Sequence, residues 1–229
     1  MKLSPVTKPP RGTKVDPDNR PANASSETVQ VWPANLERFG DVATLLAPRN
    51  EDTPACWCLT YRLNSGEFSA LRGQDRPAAL KALCARETAP GVLAYLDGLP
   101  VGWCALEPRS EMGRLQRSRT IPVVDDRPVW SIVCFVVRPG YRRRGVARAL
   151  LNGAVAYARD CGAVVLESYP VDVGAARISG QLAYVGTTRM FERAGFERVT
   201  ETRGHSGGLV RWLMRLELPS TEAGPRRDT

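Results

Sequence analysis

A chain of 229 residues, 43% hydrophobic and 24% charged, can bury one sizeable core, which excludes a fibrous architecture and a wholly unfolded one. A formal net charge of +8 asks for an anionic partner: nucleic acid, a membrane surface or a phosphorylated small molecule. Lys occurs only at Lys2, Lys8, Lys14 and Lys81, so the folded part is basic through Arg, the better side chain for fixed phosphate geometry, and no aromatics alternate with basic residues to stack bases, which disfavours nucleic acid.

In chain order, residues 1–27 hold Pro5, Pro9, Pro10, Pro17 and Pro21 among polar residues and are expected to form a disordered tail. Nothing there resembles the apolar run of a signal peptide, and no stretch approaches the roughly 20 apolar residues of a membrane span, so a cytoplasmic protein without membrane contact is expected. Thr28 to Trp32 reads as an edge strand, and Asn35 caps a helix to about Ala47, where Leu36, Phe39, Val42, Leu45 and Leu46 recur at helical spacing. Cys56 to Leu63 is ambiguous between strand and helix. Asp75 to Glu87 reads as a helix with Leu80, Leu83 and Cys84 on one face. Gly91 to Leu96 and Val101 to Leu106 form an antiparallel hairpin, followed by a polar, Arg-rich stretch from Arg109 to Asp126.

Trp130 to Val137 is apolar and β-prone, as a strand buried on both faces should be. Val146 to Asp160 carries Ala147, Leu150, Leu151, Ala154 and Ala158 on one helical stripe, Gly162 sits where a helix end wants a left-handed residue, and Ala163 to Tyr169 reads as a second buried strand. The order implies a βαβ unit with parallel neighbouring strands. A helix from about Ala183 to Ala194 and strands near Phe196 to Thr202 and Leu209 to Leu216 complete one α/β or α+β domain on a mixed sheet, residues 28–218. A flexible tail is expected over 219–229, and the assembly is expected to be a monomer or homodimer.

The chemistry is concentrated in Arg138-Pro139-Gly140-Tyr141-Arg142-Arg143-Arg144-Gly145-Val146-Ala147, between that strand and its helix. A loop feeding a helix N-terminus presents unpaired backbone N–H groups and the positive end of the helix dipole. Gly145 lets a phosphate approach the backbone, and Arg142, Arg143 and Arg144 supply countercharge. A triple-Arg run is by itself most often a solvated turn; its place inside a βαβ unit favours the phosphate reading. The loop lacks both the Gly-Lys-Ser/Thr of a Walker loop and a Gly-x-Gly-x-x-Gly fingerprint.

The segment resembles the acetyl-CoA motif of the GNAT N-acetyltransferases, Arg/Gln-x-x-Gly-x-Gly/Ala, matched by Arg142, Gly145 and Ala147. Met190-Phe191-Glu192-Arg193-Ala194-Gly195-Phe196 is similar to that family's Tyr-Glu-x-x-Gly-Phe helix end. The resemblance implies a mixed, mostly antiparallel sheet with a central parallel strand pair that splays after Val137, and flanking helices. It implies acetyl-CoA as co-substrate, with the pantetheine arm against backbone at Phe135, Val136 and Val137, the diphosphate on the N–H groups of Arg143 to Ala147 (through Arg144, Gly145 and Val146), and Phe191 packed on the cofactor. The implied function is direct acetyl transfer to a primary amine of an unidentified acceptor. The rival is an acyl-CoA-binding regulatory module with little turnover, supported by Phe191 standing where the family usually has a Tyr that protonates the departing thiolate.

For the missing donor, Tyr184 is the catalytic candidate, with Tyr169 the other nearby hydroxyl. For the base, Glu167 is the most anomalous acid, a carboxylate inside an apolar strand, read either as a base with a raised pKa or as a group that faces solvent or pairs with an Arg; Glu107 is a weaker candidate. Cys56-Trp57-Cys58 resembles a segment found in a subset of bacterial members, and no second Cys or His pair accompanies it, so no metal is expected. Together with Cys84, Cys104, Cys134 and Cys161 these cysteines are read as reduced thiols. His205 is placed in a turn between the last two strands. Arg109, Arg114, Arg117 and Arg119 either rim an anionic-substrate entrance or, more commonly for such a run, lie on a solvated loop.

Overall fold

The computed structural model describes residues 28–48, 50, 55–174 and 183–219; the expected tails, apart from Pro219, lie outside the described residues. Seven strands make one sheet in the order β1-β2-β3-β4-β5-β7-β6, with β1 Gln30–Pro33, β2 Gly91–Leu96, β3 Leu99–Pro108, β4 Trp130–Val137, β5 Val165–Ser168, β6 Glu197–Ser206 and β7 Leu209–Glu217. All pairings are antiparallel except β4 with β5, which are parallel. This is the mixed sheet expected from the sequence.

Among the described residues six α-helices accompany it: α1 Phe39–Leu46, α2 Ser65–Ala70, α3 Asp75–Cys84, α4 Gly113–Gln116, α5 Val146–Asp160 and α6 Thr188–Glu192. α5 lies across one face of β1 to β4, its Val146, Leu150, Leu151, Ala154 and Ala158 joining Val101, Cys104, Ile132, Phe135 and Phe191 in one core. The helix approaches closely because β3 offers Gly102, where a Cβ would stand 2.8 Å from Leu150 Cδ1 and 2.9 Å from Val146 Cγ1. On the opposite face α1, α3 and the turn around Trp57 cover Leu93, Trp103, Ala105 and Val133.

Several expectations need correction. Cys56 to Leu63 is neither strand nor helix: Trp57 and Cys58 take φ of 47° and 53°, a left-handed pair that breaks both periodicities. The turn is held from inside by Arg62, which donates to the Cys58 carbonyl at 2.6 Å, to the Pro90 carbonyl at 2.7 Å and to Glu107 Oε1 at 2.8 Å. The expected helix from Ala183 is broken into a 3-10 turn, Ala183–Val185, and α6, with Gly186 at φ 76° between them. His205 lies at the end of β6; the turn itself is Gly207-Gly208, both with positive φ, as a tight hairpin demands.

The position of the splay also differs. β4 and β5 pair only from Trp130 to Ile132, against Leu166 to Ser168, so the strands part after Ile132, five residues before Val137. At the same point β3 and β4 slip register: Leu106 faces Ile132 and Ala105 faces Cys134, leaving Val133 as an inserted residue. Beyond it β4 continues to Val137 with β3 on one side and, among the described residues, no strand on the other.

Candidate active site

A cleft of about 530 Å³ opens where β4 has lost its second partner. Phe135, Val136 and Val137 form its floor, Tyr141, Arg142, Arg143 and Gly145 one wall, and Val146, Ala147 and Arg148 the first turn of α5. Tyr184 and Met190 close it from the side of the 3-10 turn and α6. The strand brings main-chain polar groups because every second residue of an extended chain turns its N–H and C=O away from β3. The helix brings the N–H groups of Val146, Ala147 and Arg148, which have no intrahelical acceptor.

The loop between them is shaped by three left-handed residues, Gly140 at φ 90°, Arg143 at 62° and Gly145 at 80°. Gly145 caps α5 in that conformation, and a Cβ built there meets nothing within 4 Å, so the space above it is open. A glycine is needed for the φ, and its bare backbone faces the cleft. Arg142 folds back to donate from Nε to the Val137 carbonyl at 3.3 Å, tying the loop to the strand end. A diphosphate fits these residues: open space over Gly145, a helix N-terminus of a 15-residue helix, and Arg142, Arg143 and Arg148 around it.

Three sequence-based assignments need correction. Arg144 does not line the cleft; its guanidinium lies over the Tyr141 ring, 5.2 Å from the centroid, and Arg148, one turn further on, takes the inward direction. Phe191 is fully buried, edge-to-face with Phe135 at 6.0 Å and Phe196 at 5.0 Å. The phase of α6 turns Met190 to the cleft and Phe191 to the core, so Phe191 supports the floor from beneath.

Glu167 is the third. It is 1% exposed and lines a different cavity. Its Oε2 accepts from Arg109 Nη1 at 2.8 Å and from the Tyr169 hydroxyl at 2.8 Å, and its Oε1 accepts from Arg215 at 2.7 and 2.9 Å. A carboxylate with every lone pair engaged by two guanidiniums and a phenol is a structural anion. Arg109 is therefore inside the protein, where the sequence had placed it on the surface, and Tyr169, buried with Ser131 Oγ at 2.9 Å from its hydroxyl, is spent in the same cluster. Glu107 likewise serves Arg62; burial outweighs that partner and raises its pKa above the ordinary carboxylate value.

Tyr184 does line the cleft and is 37% exposed. It lies near Tyr61, whose pKa is raised chiefly by burial. The Tyr61 hydroxyl accepts in turn from Arg211 Nη1 at 2.8 Å. Nothing in the sequence marks Tyr61 or Arg211, which lie far from the loop along the chain. Arg148 could have been found by continuing the helical register one turn past Arg144.

Cys56, Cys58, Cys84, Cys104, Cys134 and Cys161 are all free thiols. Cys58 accepts from Trp103 Nε1 at 3.0 Å, and its pKa is raised by the thiol of Cys134 and by burial; Cys84 is pushed up to about 11 by burial. Among the described residues no cluster of His, Cys, Asp and Glu is arranged to hold a metal ion, and no helix is long and apolar enough to cross a membrane.

No curated protein matches the chain. Among solved structures, a GNAT-family acetyltransferase from Streptococcus pneumoniae is 14% identical, with 83% of this chain and 99% of that chain covered at a TM-score of 0.49. The yncA protein of Salmonella typhimurium, solved with acetyl-CoA, is 18% identical over 87% of this chain and 99% of its own, at 0.48. A polyamine N-acetyltransferase of Drosophila melanogaster is 14% identical over 83% of this chain and 100% of its own, also at 0.48. The Acetyltransferase (GNAT) family model matches residues 57–196, a span that opens at the Trp57 turn, contains β4, the arginine loop and α5, and ends at Phe196, so the chain belongs to the GNAT acetyltransferase family.

Proposed function

We propose that the protein transfers the acetyl group of acetyl-CoA directly to a primary amine, using the domain of residues 28–218. The observation that carries this reading is that β4, stripped of β5 beyond Ile132, runs without interruption into an anion-binding loop and helix N-terminus. An acyl-pantetheine arm is an extended amide chain ending in a diphosphate, and both halves find their complement along one cleft.

In the reaction the amine nitrogen attacks the thioester carbonyl carbon and the carbonyl electron pair moves to oxygen. Collapse of that oxyanion reforms the carbonyl and breaks the C–S bond, releasing thiolate. Main-chain N–H groups of β4 near Val137 are suited to the oxyanion, and holding both reactants on one rigid strand supplies much of the rate. The Tyr184 hydroxyl is the donor for the thiolate. Phe191 is buried in the core, so its lack of a hydroxyl gives little support to reading the protein as a coenzyme binder without turnover.

Among the described residues lining the cleft none is Asp, Glu or His. The ammonium proton is therefore surrendered to water, and kcat/KM should rise about tenfold per pH unit below the acceptor's own pKa and level off above it. Rate profiles with two amines of different pKa test this: an inflection at one fixed pH for both would assign the proton to a protein base.

Gly145→Glu is the direct test of the coenzyme seat. The new side chain projects into open space, so beyond about 1–2 kcal/mol of left-handed strain the fold is spared. Calorimetry should show acetyl-CoA affinity falling by about a hundredfold, near 2.7 kcal/mol. Unchanged affinity in a folded Gly145→Glu protein would overturn the reading.

A further inference from the structure

Among the described residues Arg211, on β7, is a guanidinium whose situation the fold does not explain. It is 5% exposed, and among the described residues it has no acidic partner. Nε donates to the Tyr169 carbonyl at 2.7 Å and Nη1 to the Tyr61 hydroxyl at 2.8 Å, while Nη2 is buried with no acceptor at all. A buried charge without a counterion costs several kcal/mol unless something supplies one. The contrast within the chain is sharp: Arg62 meets Glu107, Arg109 meets Glu167, and Arg215 meets Glu167 and Asp125.

Arg211 borders a cavity of about 200 Å³. Its other polar walls are Thr60, Ser118, Thr120 and the exposed Arg114, with Tyr61 at one side. Donors and positive charge therefore converge there, and none of its lining residues is acidic. Tyr61, which borders this cavity, lies near enough to Tyr184, which lines the catalytic cleft, for the two phenols to influence each other electrostatically, so the cavity lies on the side of the cleft that Tyr184 closes.

We infer that this cavity is the acceptor's anion subsite, and that the acceptor is a small amine carrying a carboxylate, an amino acid in the broad sense, whose carboxylate pairs with Arg211 and Arg114 while its amine faces the cleft. The inference rests on the acetyl-transfer reading. It disfavours polyamines, which would bring further positive charge against a guanidinium that has none to spare, and it gives a specific task to Arg211, Arg114 and Tyr61. Arg114, one of the arginines expected to rim an anionic entrance, is the exposed member of the pair, and Arg211 the buried one.

The test is CoA release from acetyl-CoA with the twenty α-amino acids and their C-terminal amides, which keep the amine and remove the negative charge. At matched fractions of free amine, the best amino acid should exceed its amide at least tenfold in kcat/KM, chiefly through KM. Arg114→Gln, a surface change, should shrink that preference severalfold, and Arg211→Gln should abolish it, with Arg211→Lys restoring part. Acetyl-CoA affinity by calorimetry should stay at the wild-type value in all three variants, which also certifies their fold. If wild type binds acetyl-CoA but turns over amides and amino acids equally, turns over only polyamines, or turns over neither, the anion subsite is wrong and the coenzyme seat stands. If wild type does not bind acetyl-CoA, the acetyl-transfer reading itself fails. Should Arg211→Gln not fold, an unaltered preference in Arg114→Gln is enough to overturn the inference.

Discussion

Arg109 and Arg211 are both 5% exposed, both stand within 6 Å of the Tyr169 ring centroid, and both reach Tyr169 by hydrogen bonds. Around Arg109 the protein has assembled Glu167, and behind Glu167 a second guanidinium, Arg215, that also holds Asp125. Around Arg211 it has assembled phenols and a carbonyl. Charge neutralised from within fixes a loop to a sheet. Charge left open among the described residues of the same sheet is, on the inference above, the place for an external anion. The difference separates a carboxylate that looks catalytic but is spent on ion pairs from an arginine that looks structural but has no acidic partner among the described residues.

The comparison is broken most severely at Glu167. Glu167→Ala strands Arg109 and half of Arg215 without a counterion and should cost about 3–5 kcal/mol in unfolding free energy. Chemical denaturation measures it; a stable Glu167→Ala protein that has lost turnover alone would restore Glu167 as the base. Arg211→Met removes a charge that no described acidic residue balances, so only its two good hydrogen bonds are lost, and the expected cost is below about 2 kcal/mol by the same measurement. A larger loss than at Glu167 would mean that Arg211 is the structural one.

How much of this was legible beforehand follows from which interactions are local. Trp130–Val137 and Val146–Asp160 are bounded in the sequence as they are in the structure, because an unbroken β-prone run and a 3.6-residue stripe both report burial directly. α2 was missed although Asn64 and Glu67 form a capping box over it. The cluster at Glu167 could be anticipated only as an anomaly, since Arg109 lies 58 residues away and Arg215 another 48 in the other direction. Phe191 was misplaced because a motif fixes the helix but leaves its rotation open. Arg211 was invisible: inside a strand of mixed character, nothing nearby in the chain marks it as lacking a partner.

The smallest effect sharpens the comparison from the surface. Asp172 accepts from the Gly174 N–H and from Arg198, and these bonds hold its pKa below the usual value of 3.8. A carboxylate depressed in the folded state stabilises it above the unfolded pKa, and that contribution is lost as pH falls through the folded value. For a pair this exposed it should be under about 1 kcal/mol. Asp172→Asn should therefore lower stability slightly at neutral pH and not at all near pH 2. At Glu107 the sign is opposite: its raised pKa makes the folded state bind the proton more readily, so that its contribution declines as pH rises through the folded value.

The bare flank of β4 from Val133 to Val137 is, in another respect, an edge strand placed in the middle of a sheet. Edges left open are templates for unwanted pairing, and proteins blunt them with charge or cover; on the proposed reading the coenzyme would be that cover. A substrate that completes a sheet binds the folded state alone, and a coenzyme present at a hundred times its dissociation constant would add about 2.7 kcal/mol to stability. The outward-facing amides of that segment should then exchange with solvent at a rate set by how much acetyl-CoA surrounds them. The lifetime of the protein would thus follow the supply of the metabolite it consumes.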